Sequence, residues 1–322
     1  MLPVVPLPFA AFTVAQAQPL QSTPTTASAA DPASWLQGAT LLTMYGRGFG
    51  MAPVLGRLGL DRNVGDLANQ LANEQRLVSL RSGLHRTRLA IHLIYAMATP
   101  CQSADTCLAY LDETGVDLVK RYIEPAARRG WLVILDDQLS RSNPVSELQH
   151  MLAKGYFRYD NVEVAFDPEF RTQPGQTSPG VPLGSVSAGE LNAAQDLLSR
   201  YSRSHHLAHR KLLLVHEWTP SMITHARRLR GDFPYVQPVL VMDGIGTPVE
   251  KMHDYQNLFR GRSLPPGVMT GIKLFPSGQY TLPGQVDLPV MNWGQVFGQV
   301  PVQGAGGGAA TLRPAPRVIV LT

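Results

Sequence analysis

Short apolar runs recur along the chain, and nearly all are followed by a polar cluster and then a stretch of helical character. The runs are Ala39 to Tyr45, Leu89 to Ala96, Trp131 to Leu135, Val162 to Phe166, Lys211 to Val215, Val236 to Met242, Val268 to Leu274 and Arg317 to Leu321, eight in all, called β1 to β8 below. They are continuous rather than alternating. A strand reads that way when both of its faces are buried, as in a parallel sheet covered by helices. Eight strand–helix units close naturally into a (β/α)8, or TIM, barrel. An open doubly wound sheet is the alternative.

Helix starts support the same segmentation. Asn143-Pro144, Thr219-Pro220 and Thr247-Pro248 each place a capping side chain before a proline at the first helical position, where the missing N–H costs nothing. Ser187 with Glu190, and Thr247 with Glu250, have capping-box spacing. These signals follow β3, β4, β5 and β6. Residues 276–310 are rich in Pro and Gly, so an irregular segment is expected before the last strand. No helix follows β8, and a short helix near Pro32 to Gln37 is expected to cover that part of the barrel.

The chain has 322 residues, 44% hydrophobic and 16% charged, enough for a large core. We read residues 1–17 as a signal segment, because they are apolar, lack acids and end in Ala15-Gln16-Ala17, although no Lys or Arg precedes the run. Residues 18–34 read as a Ser/Thr/Pro/Ala-rich spacer, and 35–322 as one barrel domain. Export to the cell surface or medium is the expected location. No other segment approaches the roughly 20 apolar residues that span a bilayer, so no membrane span is expected in the mature chain. The formal charge of +4 comes mainly from Arg200 to Lys211 and Arg227 to Arg230, read as solvated helix faces. No nucleic-acid module accompanies them, so no nucleic-acid partner is expected. Cys101 and Cys107 lie close together in the loop after β2. In an exported chain they are expected to form a local disulfide, with two free thiols as the alternative.

In a barrel the reactive groups gather at the C-terminal strand ends, where the βα loops converge. Those ends carry Tyr45 on β1, Tyr95 on β2, Asp136 and Asp137 on β3, Asp167 and Glu169 on β4, His216 and Glu217 on β5, Asp243 on β6 and Lys273 on β7. Acids stand at four successive ends, β3 to β6. In Ala165-Phe166-Asp167-Pro168-Glu169, strand alternation places Asp167 and Glu169 on one face, roughly 6.5–7 Å apart. Two close carboxylates resist simultaneous ionisation, which yields a proton donor beside an anion, the minimum equipment for cleaving a glycosidic bond. Glu169 is the candidate acid and Asp167 its partner. The alternative is that Asp167 caps the loop and Glu169 pairs with Arg171. Glu217 is a candidate base or nucleophile, its distance from Glu169 distinguishing retention from inversion. By alternation only one of Asp136 and Asp137 faces the interior. Lys273 either neutralises the cluster or makes a structural ion pair. Tyr45, Tyr95, Trp218, His216 and Asp243 complete the candidate substrate-binding set. No compact metal motif or cofactor fingerprint is visible, and no cofactor is assigned.

The Asp-x-Glu ending of β4 resembles that of chitinase-type and lysozyme-type glycoside hydrolase barrels, over about ten residues. The resemblance implies that the Glu is the acid and that the Asp orients an N-acetyl group or assists it. Val162 and Ala165 stand where the chitinase pattern carries further acids, and Thr43-Met44-Tyr45 where the lysozyme-type barrels carry an Asp on β1. The strings Val164-Ala165-Phe166-Asp167-Pro168-Glu169-Phe170, Gly184-Ser185-Val186, Leu214-Val215-His216 and Gly271-Ile272-Lys273-Leu274-Phe275 resemble uncharacterised exported barrel proteins of actinobacteria and related soil bacteria. That resemblance implies export and fold, not a reaction.

Three functions are therefore expected in order: a glycoside hydrolase acting on an extracellular or cell-wall polysaccharide; a non-catalytic surface barrel binding a glycan or a protein partner; and a metal-dependent hydrolase using Asp136, Asp137, His216 and Asp243. Substrate, linkage and oligomeric state are not legible at this level.

Overall fold

The computed structural model describes residues 32–53, 56–84, 86–101, 106–173, 175–259, 264–276, 286–304 and 308–322. The expected signal segment and most of the spacer lie outside them. The strands are β1 Thr40–Gly46, β2 Thr87–Ala98, β3 Leu132–Asp137, β4 Val162–Phe166, β5 His209–Glu217, β6 Val236–Met242, β7 Met269–Leu274 and β8 Val318–Leu321. Each pairs in parallel with the next, and β8 pairs with β1, so the sheet closes into the expected barrel of eight strands. Closure removes every sheet edge and gives each strand two buried faces, which is why the runs read as continuously apolar.

The outer layer is formed by α1 Val64–Arg81, α2 Glu124–Ala127, α3 Pro144–Ala153, α4 Ala188–Ser204, α5 Pro248–Phe259 and α6 Trp293–Val296. Asn143 caps α3 by accepting from the N–H groups of Val145 and Ser146, and Ser187 with Glu190 forms the expected capping box on α4. Thr247 and Glu250 make the same reciprocal contacts before α5. Thr219-Pro220 departs from expectation: it opens only the short 3-10 turn Pro220–Met222, without a side-chain cap. Arg227 and Arg228 lie in another such turn, and Arg230 pairs with Asp232, so this basic run is not a helix. Lys211 is no solvated residue either. It is buried in β5, its Nζ donating to the carbonyls of Tyr159 and Asp160 at 3.0 and 2.8 Å.

The short helix expected at Pro32 to Gln37 is absent. Ala33–Ser34, assigned to the spacer on sequence, instead pairs in parallel with His209 and Arg210 of β5. Trp35 then stacks on His209 at 3.6 Å, and Trp35 and Leu36 join the apolar packing at the N-terminal end of the barrel interior. Between β7 and β8 the described chain is irregular, as expected, holding α6 and the two-stranded pairing of Val302–Gln303 with Ala309–Ala310. Cys101 and Cys107 are disulfide-bonded, with Cα atoms 5.4 Å apart.

Inward-facing Leu41, Ala90, Ile134, Ala165, Leu214, Val239, Val241 and Val320 form an apolar belt inside the barrel. Outward-facing Leu42, Ile91, Val133, Val164, Val215 and Leu240 pack with the helices. Burying a residue of this kind fully contributes about 1.5–3 kcal/mol.

Candidate active site at the C-terminal mouth of the barrel

Above the apolar belt the inward positions become polar. Strand alternation turns Tyr45, Asp136, His216 and Lys273 inward from the odd strands, and His92 from β2. Asp167 and Asp243 follow immediately after β4 and β6. All are buried. His92 and His216 face each other across 5.3 Å between ring centroids, and the Tyr45 ring meets both edge-on at 4.9 and 6.0 Å. Asp136 Oδ2 lies between them, 3.6 Å from His92 Nε2 and 3.7 Å from His216 Nε2. His216 Nδ1 faces Asp243 Oδ2 at 3.2 Å, and Lys273 Nζ donates to the same oxygen at 2.9 Å. Lys273 also sits 4.0 Å over the Tyr45 ring, so it does both jobs foreseen for it: it is a structural ion pair and it offsets the acids.

Burial and neighbours divide these groups into two kinds. Burial alone would raise the Asp243 carboxyl, but Lys273 and His216 hold it down at about 2. Asp136 is likewise kept below the usual carboxylate range against its burial, by His216, His92 and Lys273. Asp167 moves the other way, raised well above its ordinary value by burial and by Glu169, Asp243 and Asp136. Glu169 is raised by burial and by Asp243, with the Trp218 hydrogen bond and Lys273 opposing. Burial lowers His92 to about 4, so its imidazole is neutral near pH 7. Two carboxyls held below the usual carboxylate range therefore stand beside two pushed above it.

The segment carrying Asp167 and Glu169 is held from several sides. β4 ends at Phe166, and Pro168–Phe170 forms a 3-10 turn, so Glu169 rides on a turn rather than on the strand pleat. The Asp167 N–H donates to the Asp137 carbonyl at 2.9 Å. Gly184 donates its N–H to the Glu169 carbonyl, and a Cβ there would stand 2.3 Å from the Pro168 carbonyl oxygen, so only glycine fits. Arg171 does not pair with Glu169. It is drawn to Glu190 at 2.8 Å and to the Ser185 carbonyl at 3.0 Å, which locks the turn to the start of α4. Glu169 is left at the mouth, its Oε2 accepting from Trp218 Nε1 at 2.8 Å, while 41% of Trp218 is exposed.

Three sequence candidates fall outside this group. Asp137 faces the helical layer, accepting from the Leu139 N–H at 2.6 Å. Burial and the adjacent Glu147 raise its carboxyl, and Glu147 in turn accepts from the Tyr110 hydroxyl at 2.9 Å. Glu217 follows inward-facing His216 and so lies on the opposite face of β5 from the carboxyl pair; the stereochemical reading built on Glu169 and Glu217 does not apply. Tyr95 occupies a bulge in β2, packs with the outer core and donates to Asp112 at 3.3 Å. The Arg47 guanidinium binds the carbonyls of Ile94 and Tyr95 at 2.7 and 2.9 Å and holds that bulge in place.

His92 was not among the sequence candidates, because β2 is 12 residues long and His92 lies in its middle rather than at its end. The signal was present as a lone imidazole inside Leu89-Ala90-Ile91-His92-Leu93-Ile94. His92, Asp136 and His216 each offer a donor atom, all within 4.8 Å of one another, and are the set able to hold a metal ion among the described residues. Comparison with family models, curated proteins and solved structures found no match for this chain.

Proposed function

We propose that this chain is an exported glycoside hydrolase that cleaves an extracellular or cell-wall polysaccharide, with Glu169 as the proton donor. The observation that carries the reading is the Glu169–Trp218 pair at the barrel mouth: a carboxyl raised by burial and by Asp243, hydrogen-bonded to an indole whose ring remains exposed. An exposed indole is a stacking platform for a sugar ring, and a carboxyl beside it reaches the glycosidic oxygen. Glu169 donates its proton to that oxygen as the bond to the anomeric carbon breaks; water then adds to the anomeric carbon and gives a proton back to the Glu169 carboxylate. The ionised Asp243, which lies close enough to act on Glu169, supplies negative charge beside the developing oxocarbenium, and Asp167 holds a sugar hydroxyl or amide from its buried position. The Cys101–Cys107 disulfide and the apolar segment 1–17 support export, since such bonds persist in oxidising compartments. Among the described residues no helix is long and apolar enough to cross a membrane.

Trp218 equally supports a barrel that binds a glycan without cleaving it. Incubating the full chain with a panel of soluble and insoluble cell-wall polysaccharides, and measuring new reducing ends, separates the two. Release of reducing ends is the expected result. Retention on a polysaccharide without cleavage selects the binding role, and neither retention nor cleavage across the panel overturns both.

A further inference from the structure

We propose that His92, Asp136 and His216 bind one divalent transition-metal ion of the zinc class inside the barrel. The three ligands come from β2, β3 and β5, and their donor atoms lie within 4.8 Å of one another. Both imidazole Nε2 atoms point at the same oxygen, Asp136 Oδ2, at 3.6 and 3.7 Å. Those separations are too long for hydrogen bonds. They lie close to the edge of a tetrahedron around an ion, since metal–ligand bonds of about 2.0–2.2 Å put neighbouring donor atoms about 3.3–3.6 Å apart.

The buried atoms themselves ask for a ligand. Both ring nitrogens of His92 and of His216 and both carboxylate oxygens of Asp136 have no hydrogen-bond partner in the protein among the described residues, and all three side chains are fully buried. A buried polar atom without a partner is costly, so a concentration of six at one place marks a site for something else. Two imidazoles and one carboxylate suit zinc, or cobalt and nickel in its place, better than the hard ions calcium and magnesium, which prefer all-oxygen shells. Three protein ligands also leave a fourth position for water or a substrate oxygen, as in catalytic rather than structural zinc sites. Behind His216 stands Asp243, 3.2 Å from Nδ1 and itself held by Lys273. A carboxylate in that place favours the proton on Nδ1, which leaves the Nε2 lone pair for the ion. Asp243 is thus a positioning residue for the metal.

The test is metal binding, read independently of glycan cleavage. The full chain is stripped with a chelator, dialysed against zinc or cobalt sulfate, and its metal content and cobalt absorption spectrum measured. We expect about one ion per chain with the intense visible bands of a four-coordinate cobalt site. A His92→Gln/His216→Gln double variant loses the ion. A His205→Gln/His206→Gln variant, which removes exposed imidazoles outside the barrel interior, keeps it. Asp243→Asn weakens affinity by about 10–100-fold. Should the first double variant not fold, X-ray absorption on the zinc-loaded parent decides: two imidazoles and one carboxylate are expected. A folded parent that retains no ion, full occupancy in the folded His92/His216 variant, or a shell without two imidazoles overturns the proposal.

Discussion

The inside of the barrel divides into two regions that share the same strands. In the belt of Leu41, Ala90, Ile134, Ala165, Leu214, Val239 and Val320 the inward residues are apolar apart from Thr43, and shape and volume are most of what the positions require. Two residues beyond Ile134, Ala165 and Leu214 on the same strands stand Asp136, Asp167 and His216, joined by Asp243 after β6 and Lys273 on β7, just as buried yet polar. Burying polar groups without full hydrogen bonding costs about 1–3 kcal/mol per group, so the second region opposes folding where the first drives it. The belt makes the mouth possible: a rigid apolar floor holds ionisable groups close enough to set each other's protonation. Glu163 is an exception at the lower end, a buried acid on an inward position whose Oε2 accepts from the Leu212 N–H.

The largest expected effect separates the regions by chemistry. Glu169→Gln keeps the shape and the Trp218 contact but removes the transferable proton, so hydrolysis of a substrate that the parent cleaves falls by about 10²–10⁴-fold with binding largely kept. Initial rates of reducing-end release and a parallel binding isotherm measure this, and an unchanged rate removes Glu169 as the acid. Leu214→Ala, in the belt, instead lowers stability by about 2–5 kcal/mol in urea unfolding, because the closed barrel cannot collapse around the lost volume. A loss well under that range would mean that the belt is not close-packed.

Opening the disulfide tests the rim rather than the interior. The Cys101→Ser/Cys107→Ser variant is expected to lose about 2–3 kcal/mol, since the bond closes a short loop that the unfolded chain would otherwise leave free. Urea midpoints of both proteins, with and without reductant, report it; reductant should destabilise the parent alone.

Glu163 sharpens the comparison through pH. Burial pushes its carboxyl up to about 8 from an ordinary 4.5, with Lys211 opposing. The folded-state value lies above the unfolded one, so its contribution is fully present below about pH 4.5 and is lost as pH rises through about 8. Glu163→Gln removes that titration. Between about pH 5 and 8 the parent should therefore lose stability relative to the variant, by at most about 1.4 kcal/mol per pH unit. Parallel unfolding curves across that range would show that Glu163 is already ionised in the folded barrel.

Much of this architecture is legible in the chain. Each of the eight apolar runs became a barrel strand, and Asn143, Ser187 and Thr247 start helices as their spacing predicts. Alternation also foretold that one of Asp136 and Asp137 would face away, though not which. Local signals failed where partners are distant. Thr219-Pro220 resembles a helix start but opens a 3-10 turn. Ala33–Ser34 looks like spacer until β5 pairs with it. Glu217 sits at a strand end with the right chemistry and the wrong parity.

The sequence by itself determined the strand count, the parallel order and the end of the barrel where acids collect, Asp167 and Glu169 among them, because period and capping are properties of neighbours along the chain. Tertiary structure alone decided that Arg171 goes to Glu190 and leaves Glu169 to Trp218, that Lys273 and His216 keep Asp243 ionised, and that mid-strand His92 meets Asp136 and His216. The physical reason is that protonation and coordination depend on distances of about 3–5 Å between side chains far apart in sequence, and only barrel closure sets those distances.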